Sequence, residues 1–450
     1  VNTWDPFSWR SKSNAQEITY PDATALERAV EQMRRLPPLV TSWEIERLRT
    51  MLAEASQGKR FILQGGDCAE SLDECTPGDV TSKLKILLQM SLVLVHGLKK
   101  PVVRIGRFAG QYAKPRSSAT EEREGTILPS YFGDLVNRAE FTYEARTPDP
   151  QLLLEGYYRA GLTINFVRSL VDGGFADLHH PEYWNLDFLN KAGLAPQLRE
   201  EYEQMCARLA DGLRFMEALG EKTVDDLTRV EFFTSHEGLS LWYESAQTRR
   251  VPRREGYYNL STHLPWIGER TRDLAGAHVE FFRGVRNPVG IKLSAKTTPD
   301  QLLALARTLN PANEVGKLVC ISRMGVANVD AGLPKLLQAA KGEGLHAAWI
   351  CDPMHGNTRT TSTGIKTRRF DDIMGELVTT YEVHQSEGVP MAGVHFELTG
   401  EDVTECVGGA AGLTEADLTT NYSSQCDPRL NYQQSLEMAF VIAKRVGGRA

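Results

Sequence analysis

The stretch Trp349-Ile350-Cys351-Asp352-Pro353-Met354-His355-Gly356-Asn357-Thr358 starts as an apolar strand and ends in a polar turn carrying an imidazole, an amide and a hydroxyl. Strand-based enzymes place their reacting groups at such turns. His355 is therefore a candidate ligand, weighed against a structural histidine satisfied within the fold. In Gln64-Gly65-Gly66-Asp67-Cys68-Ala69-Glu70, two glycines let the chain turn tightly at the top of a strand, just before a thiol. Cys68 is a second candidate, with an inert buried cysteine as its alternative. In Gly393-Val394-His395-Phe396-Glu397-Leu398-Thr399, strict alternation turns Val394, Phe396 and Leu398 one way and His395 and Glu397 the other. An inward carboxylate is costly unless it is paired or bound to a cation. Asp427, in the turn Gln425-Cys426-Asp427-Pro428, adds another acid. Cys68, His355, Glu397 and Asp427 form a mixed sulfur, nitrogen and oxygen set, suited to a divalent transition metal rather than to calcium or magnesium.

Cations gather beside these groups. Arg104, Arg107, Lys114 and Arg116 fall within thirteen residues, with Pro115 and Ser117 among them. Such a loop suits phosphate, held by guanidinium forks, an ammonium and a hydroxyl. Lys292 is in phase with Gly290 and Ser294, opposite Val289, Ile291 and Leu293, so it points into a space lined by small residues. Arg323 ends another strand, and Glu269 and Arg270 place an acid and a base side by side at the end of a third. Singly, each fits an ordinary ion pair. Together they describe a site for a small, multiply anionic substrate beside a metal.

Positioning these groups requires strands that end at one face. Short apolar runs at 60–67, 101–107, 229–235, 261–267, 287–293, 316–322, 347–353 and 392–398 predict eight strands. Helical periodicity follows several of them, at 81–98, 150–171, 299–309, 332–341 and 371–385. Eight strand–helix units predict an α/β protein with a closed (β/α)8 TIM barrel. Residues 1–58 read as an N-terminal extension packing on the barrel or at a subunit interface, with a capping box at Thr41-Ser42-Trp43-Glu44. Residues 59–450 read as the catalytic barrel, with 173–228 a helical insertion between strands 2 and 3. Within it, 177–187 reads as a loop and 198–219 as an amphipathic helix through Tyr202, Met205, Leu209, Leu213 and Met216. The insertion is expected to build an interface or a regulatory site, or simply to pack down.

Composition narrows the partners. The 450 residues carry 51 basic and 58 acidic side chains, a net charge of −7, which excludes the electrostatic footprint of a nucleic-acid or anionic-membrane binder. The longest apolar stretch, 86–98, is broken by Gln89, Ser91 and His96 and is too short to span a bilayer. The first residues lack the basic start and apolar run of a secretory signal, and the seven cysteines are scattered without a Cys-x-x-Cys pair. Both point to a reducing, cytoplasmic setting.

Long ordered strings carry a resemblance: Trp4-Asp5-Pro6, residues 65–70, Ala109-Gly110-Gln111-Tyr112-Ala113-Lys114-Pro115-Arg116-Ser117, Trp266-Ile267-Gly268-Glu269-Arg270-Thr271, residues 351–358 and Cys426-Asp427-Pro428-Arg429-Leu430-Asn431. Over nearly the whole chain the sequence resembles the type II, or plant-like, 3-deoxy-D-arabino-heptulosonate 7-phosphate (DAHP) synthases, entry enzymes of the shikimate pathway. The resemblance implies condensation of phosphoenolpyruvate with erythrose 4-phosphate, with release of phosphate, and one divalent metal. Mn2+ or Co2+ would come first, with Zn2+, Fe2+ or Cd2+ as alternatives. By motif match, Cys68, His355, Glu397 and Asp427 would hold the metal. Arg107, Arg270, Lys292 and Arg323 would hold phosphoenolpyruvate, with Lys114 near its carboxylate, and Arg116 and Ser117 would hold the sugar phosphate. Glu269 stands where a proton-handling acid is expected, and Arg107, Lys292 and Glu269 form the expected catalytic group. The resemblance also implies a homo-oligomer, a dimer or tetramer, with an aromatic amino acid as effector and a chorismate mutase as partner in some relatives.

Two other readings fit the basic mouth and the donor set. One is a metal-dependent aldolase or isomerase acting on another sugar phosphate; the other is a ligand-sensing, partner-binding barrel. Cys68 and Cys426 both lie beside proposed ligands, so the two thiols are expected to meet if oxidised.

Overall fold

The structure, a computed structural model, describes residues 4–173, 196–197, 199–201, 203–205, 207 and 231–448. The helical insertion expected at 173–228 and its helix at 198–219 lie almost wholly outside the described residues.

Eight parallel strands close into a barrel: β1 (Phe61–Gly66), β2 (Val102–Arg107), β3 (Phe232–Glu237), β4 (Leu264–Ile267), β5 (Val289–Ser294), β6 (Leu318–Arg323), β7 (Ala348–Cys351) and β8 (Met391–Glu397). They follow chain order around the ring, and β1 pairs with both β2 and β8. This is the TIM barrel that the alternation of strands and helices predicts. Among the helices are α1 (Ala23–Arg35), α2 (Ser42–Ser56), α3 (Pro77–Leu98), α4 (Gln151–Asp172), α5 (Pro299–Leu309), α6 (Val329–Gly342), α7 (Phe370–Glu387) and α8 (Tyr432–Val446).

Period-two alternation divides each strand between two environments. Outward side chains such as Leu63, Val289, Ile291, Leu293, Leu318 and Cys351 join the apolar layers beneath the helices. Inward side chains change character along the barrel axis. Ile62, Val103, Ile105, Phe233, Leu264, Val319, Ile321, Ala348 and Ile350 form an apolar lower layer. Leu48, Met51, Leu52 and Ala55 of α2 complete that layer, so α2 closes the floor of the barrel. Its start is set by a reciprocal capping box, in which the Thr41 hydroxyl accepts from the Glu44 N–H and the Glu44 carboxylate accepts from the Thr41 N–H.

The upper inward layer is polar. Ser235 bonds Gln64 at 2.9 Å, Gln64 bonds the Nδ1 of His395 at 2.8 Å, and the Nε2 of His395 meets Arg107 at 2.7 Å. The Gln64 carbonyl oxygen accepts from Nδ1–H, which leaves Nε2 as the acceptor for Arg107. Burial first, then Lys292 and Arg107 nearby, hold His395 well below the ordinary imidazole range. A neutral ring thus aims a guanidinium at the mouth.

Two details depart from the sequence-based expectation. β3 runs to Glu237, two residues past the predicted end at 235, which brings Glu237 to the barrel mouth. Arg104 does not join the basic cluster. It lies three positions from Arg107, an odd step that turns it outward under α3, where its Nε donates to Ser91 at 2.7 Å.

The segment before α1 is held against the outside of the barrel. Trp4 Nε1 donates to the Glu280 carbonyl at 2.9 Å and Trp9 Nε1 to Ser245 at 2.8 Å. Leu52 is 0% exposed in the floor, so Leu52→Ala is expected to cost about 2–5 kcal/mol through lost burial and an unfilled cavity. A lowered denaturation midpoint with unchanged barrel secondary structure checks this.

Candidate active site

The C-terminal ends of the strands build one cleft. Cys68 follows β1, where Gly66 takes a φ of +144° and a Cβ would fall 2.7 Å from the Arg107 carbonyl oxygen. Only glycine lets the two strand ends approach so closely there. Donor atoms of Cys68, Glu397 and Asp427 all lie within 4.8 Å of one another. The Nε2 of His355 reaches Glu397 Oε1 at 2.9 Å, so the fourth donor predicted from sequence adjoins the same group. Lys114 stands among them, 3.2 Å from Asp427 and 3.7 Å from the Cys68 sulfur.

The orientation of His355 is set from behind. Asp352, three residues earlier, accepts from the His355 Nδ1 at 2.8 Å and from the Met354 and His355 N–H groups at 3.0 and 3.2 Å. Asp352 thereby fixes the ring so that Nε2 is the nitrogen turned toward Glu397 and the cleft. Asp352 also pairs with Lys292. Burial opposes its ionisation, yet His355 and Lys292 hold its carboxyl well below the usual range. Glu397 is balanced in the same way. Burial opposes its charge, and His355, Arg368 and Arg107 hold it ionised, at 2.9, 2.7 and 3.1 Å. Asp427 is likewise depressed, by Lys114 above all, against burial. The Cys426 thiol in hydrogen-bond contact, then burial and Glu397, push the Cys68 thiol up.

Arg107, Lys114, Glu269, Arg270, Lys292 and Arg323 line the same cleft. The guanidinium carbon of Arg107 lies over Trp266, 5.2 Å from the ring centroid. Arg323 donates to the His355 carbonyl at 2.8 Å, and Glu269 is held by Arg272 at 2.9 Å and by the Ser294 hydroxyl at 2.7 Å. Arg116 and Ser117 are not among the lining residues. They stand on the adjoining loop, with Arg116 drawn to Glu121 at 2.6 Å.

Several contributors had no role assigned from sequence. Asp352 has a local signal, its place three residues before a candidate histidine and just before Pro353. Arg368 has none, since it meets Glu397 only through the fold. Glu237 lines the cleft with a buried Oε1 that lacks a hydrogen-bond partner among the described residues, and burial raises its carboxyl. Glu376 on α7 accepts from the Met324 and Gly325 N–H groups at 2.7 and 2.9 Å and from the Asn357 side chain at 2.7 Å. It thereby ties the turn after Arg323 to the turn after His355. Glu70 accepts three N–H groups, from Ala109, Gly110 and Gln111, and shapes the loop leading to Lys114.

A TIM barrel with this donor cluster and cationic mouth is an enzyme scaffold, and comparison with known proteins says which. The chain belongs to the class-II DAHP synthetase family, which it matches over residues 4–443. It is 47% identical to a phospho-2-dehydro-3-deoxyheptonate aldolase of Neurospora crassa, covering 98% of this chain and 94% of that protein. A protein of the same name from Streptomyces coelicolor is 46% identical over 97% of this chain and 96% of its own length. The corresponding protein AroG of Mycolicibacterium smegmatis is 42% identical, over 94% and 90%.

Asp352→Asn removes the charge that orients His355 and balances Lys292. Affinity for a divalent cation is expected to fall about 10–100-fold. Titrating metal-free protein with Co2+ and following its visible absorption measures the change.

Proposed function

We propose that this chain is a metal-dependent 3-deoxy-7-phosphoheptulonate synthase, joining phosphoenolpyruvate to erythrose 4-phosphate and releasing phosphate as the first step of the shikimate pathway. The convergence of Cys68, His355, Glu397 and Asp427 beside a ring of fixed cations carries this reading. Thiol, imidazole and carboxylate donors, with the thiol and the Glu397 acid buried and Asp427 partly exposed, fit a divalent transition metal, with Mn2+ or Co2+ ahead of Zn2+, Fe2+ and Cd2+. Bound there, the metal would supply Lewis-acid polarisation of the sugar aldehyde.

The chain's own groups then do the positioning. Arg107, Arg270, Lys292 and Arg323 would hold the phosphate and carboxylate of phosphoenolpyruvate, with Lys114 near the carboxylate, so that its methylene carbon faces the aldehyde. Arg116 and Ser117 would bind the phosphate of the sugar. Fixed cations offset the repulsion between two polyanions and fix their mutual orientation. A carbon–carbon bond forms from the methylene carbon of phosphoenolpyruvate to the aldehyde carbon, whose oxygen takes a proton; water adds at the neighbouring carbon that bears the phosphate, losing a proton, and the bond from that carbon to the phosphate oxygen breaks. Glu269, at the cleft wall, is placed to hold or pass a proton in that sequence. A cytoplasmic location, a dimeric or tetrameric assembly, an aromatic amino acid effector and a chorismate mutase partner belong to the same family-based reading. No helix among the described residues is long and apolar enough to cross a membrane.

Loss of phosphoenolpyruvate absorbance on adding erythrose 4-phosphate tests the reaction and separates it from chemistry on another sugar phosphate. Chelation, Cys68→Ser and His355→Ala are each expected to abolish it in folded protein. Full activity in chelated enzyme would overturn the metal assignment.

Lys292 adds a pH dependence. Burial pushes its ammonium down to about 8, against the pull of Asp352. The side chain is therefore charged below that pH and neutral above it. Since kcat/KM reports groups of the free enzyme, kcat/KM for phosphoenolpyruvate is expected to fall as pH rises through about 8. A flat profile between about pH 7 and 10 would show that the ammonium stays charged over that range and that burial does not lower it in the free enzyme.

A further inference from the structure

The polar run Ser13-Asn14-Ala15-Gln16 precedes α1 and belongs to no helix or strand of the barrel. Its contacts fall on two loops of the active-site face. The Ser13 carbonyl accepts from the Ala277 N–H at 2.9 Å, beside a parallel bridge between Ser13 and Gly276, on the loop that follows Glu269 and Arg270. Asn14 caps the turn by accepting from the Gln16 N–H at 3.2 Å. Gln16 then reaches the loop after β2. Its Oε1 accepts from the Arg116 N–H at 2.8 Å and its Nε2 donates to the Arg116 carbonyl at 3.1 Å. One side-chain amide thus pairs with both backbone polar groups of Arg116, as a neighbouring strand would.

The pairing matters because of where it falls. Pro115 supplies no N–H, and upstream the loop is anchored at Lys114, whose N–H donates to the Phe132 carbonyl at 2.8 Å. Downstream, the Ser118 carbonyl accepts from the Ser130 hydroxyl at 2.8 Å. Between those anchors stand Arg116 and Ser117, and Gln16 holds the backbone there. The clasp is itself fixed at Trp9, which is buried against Trp242 and bonded to Ser245.

We propose that Gln16 is a positioning residue for the sugar-phosphate loop: from outside the barrel it sets the backbone that presents Arg116 and Ser117, and so controls affinity for erythrose 4-phosphate. This rests on the reading of Arg116 and Ser117 given above. The amide is specific. Alanine loses both bonds. A glutamate keeps an acceptor for the N–H but sets its second oxygen against the Arg116 carbonyl, where a donor is needed.

Initial rates with each substrate varied, for wild type, Gln16→Ala, Arg116→Ala and the double variant, test the proposal, together with amide hydrogen exchange of the peptide spanning 113–118. Gln16→Ala is expected to raise KM for erythrose 4-phosphate about two- to tenfold, the range of one net hydrogen bond. KM for phosphoenolpyruvate should stay at its wild-type value, exchange across 113–118 should quicken, and the double variant should raise KM for the sugar phosphate by less than the product of the two single effects. Should Arg116→Ala raise KM for the sugar phosphate while Gln16→Ala does not, the proposal on Gln16 is overturned and the loop assignment survives. An unchanged KM in Arg116→Ala defeats the loop assignment, and the proposal with it. Equal rises in both KM values in Gln16→Ala, tracking a lowered melting temperature, would mark a merely structural residue and also overturn it.

Discussion

Two ionised carboxylates, Asp352 and Glu397, are 0% exposed at the mouth of the barrel, and the rest of the site follows from keeping them charged. An unpaired buried carboxylate costs several kcal/mol, so each must be ringed by opposite charge and hydrogen-bond donors. Asp352 takes Lys292 from β5, the His355 ring and two backbone N–H groups. Glu397 takes Arg107 from β2, Arg368 from just before α7, and His355. His355 bridges both acids and so couples their positions. The barrel ends cannot shift independently without stranding one of these charges.

The same constraint explains the loops behind the cleft. Glu70 and Glu376 are buried acids whose oxygens accept from loop N–H groups, all backbone for Glu70 and two backbone with the Asn357 amide for Glu376, each fixing a turn beside site residues. Asp67, next to Cys68, pairs with Lys83 at 2.7 Å and with Arg429 at 2.8 Å, and Arg429 in turn pairs with Glu405. The loops carrying Cys68 and Asp427 are thereby joined through one guanidinium. Rigid support of this kind lets a site meet developing charge without reorganising its dipoles during reaction.

The floor shows a different economy. Where α2 closes the barrel, inward side chains are aliphatic or aromatic and need no charge balance. Polarity rises toward the opposite end, so the axis runs from a packed core to a charged cleft within the length of single strands. β6 shows the gradient directly: Val319 and Ile321 lie in the core, and Arg323 lies in the site.

Much of this was legible in the sequence because strand and helix periodicities are local. Alternation at 393–399 turned Glu397 inward, the Thr41–Glu44 spacing announced a cap, and eight apolar runs with polar ends implied a barrel whose site lies at one face. The same rule, applied strictly, also separates Arg104 from Arg107, although their proximity in sequence had grouped them. What local pattern cannot supply is the partner across the barrel. Arg368 meeting Glu397, Glu376 joining two turns, and Gln16 reaching Arg116 each depend on register and loop path. Those are set only when all eight strands close and every buried charge finds its counterpart. The residue types and their faces were determined by the sequence itself; which of them touch was decided by the tertiary structure, because burial makes each ion pair conditional on packing contributed by distant elements.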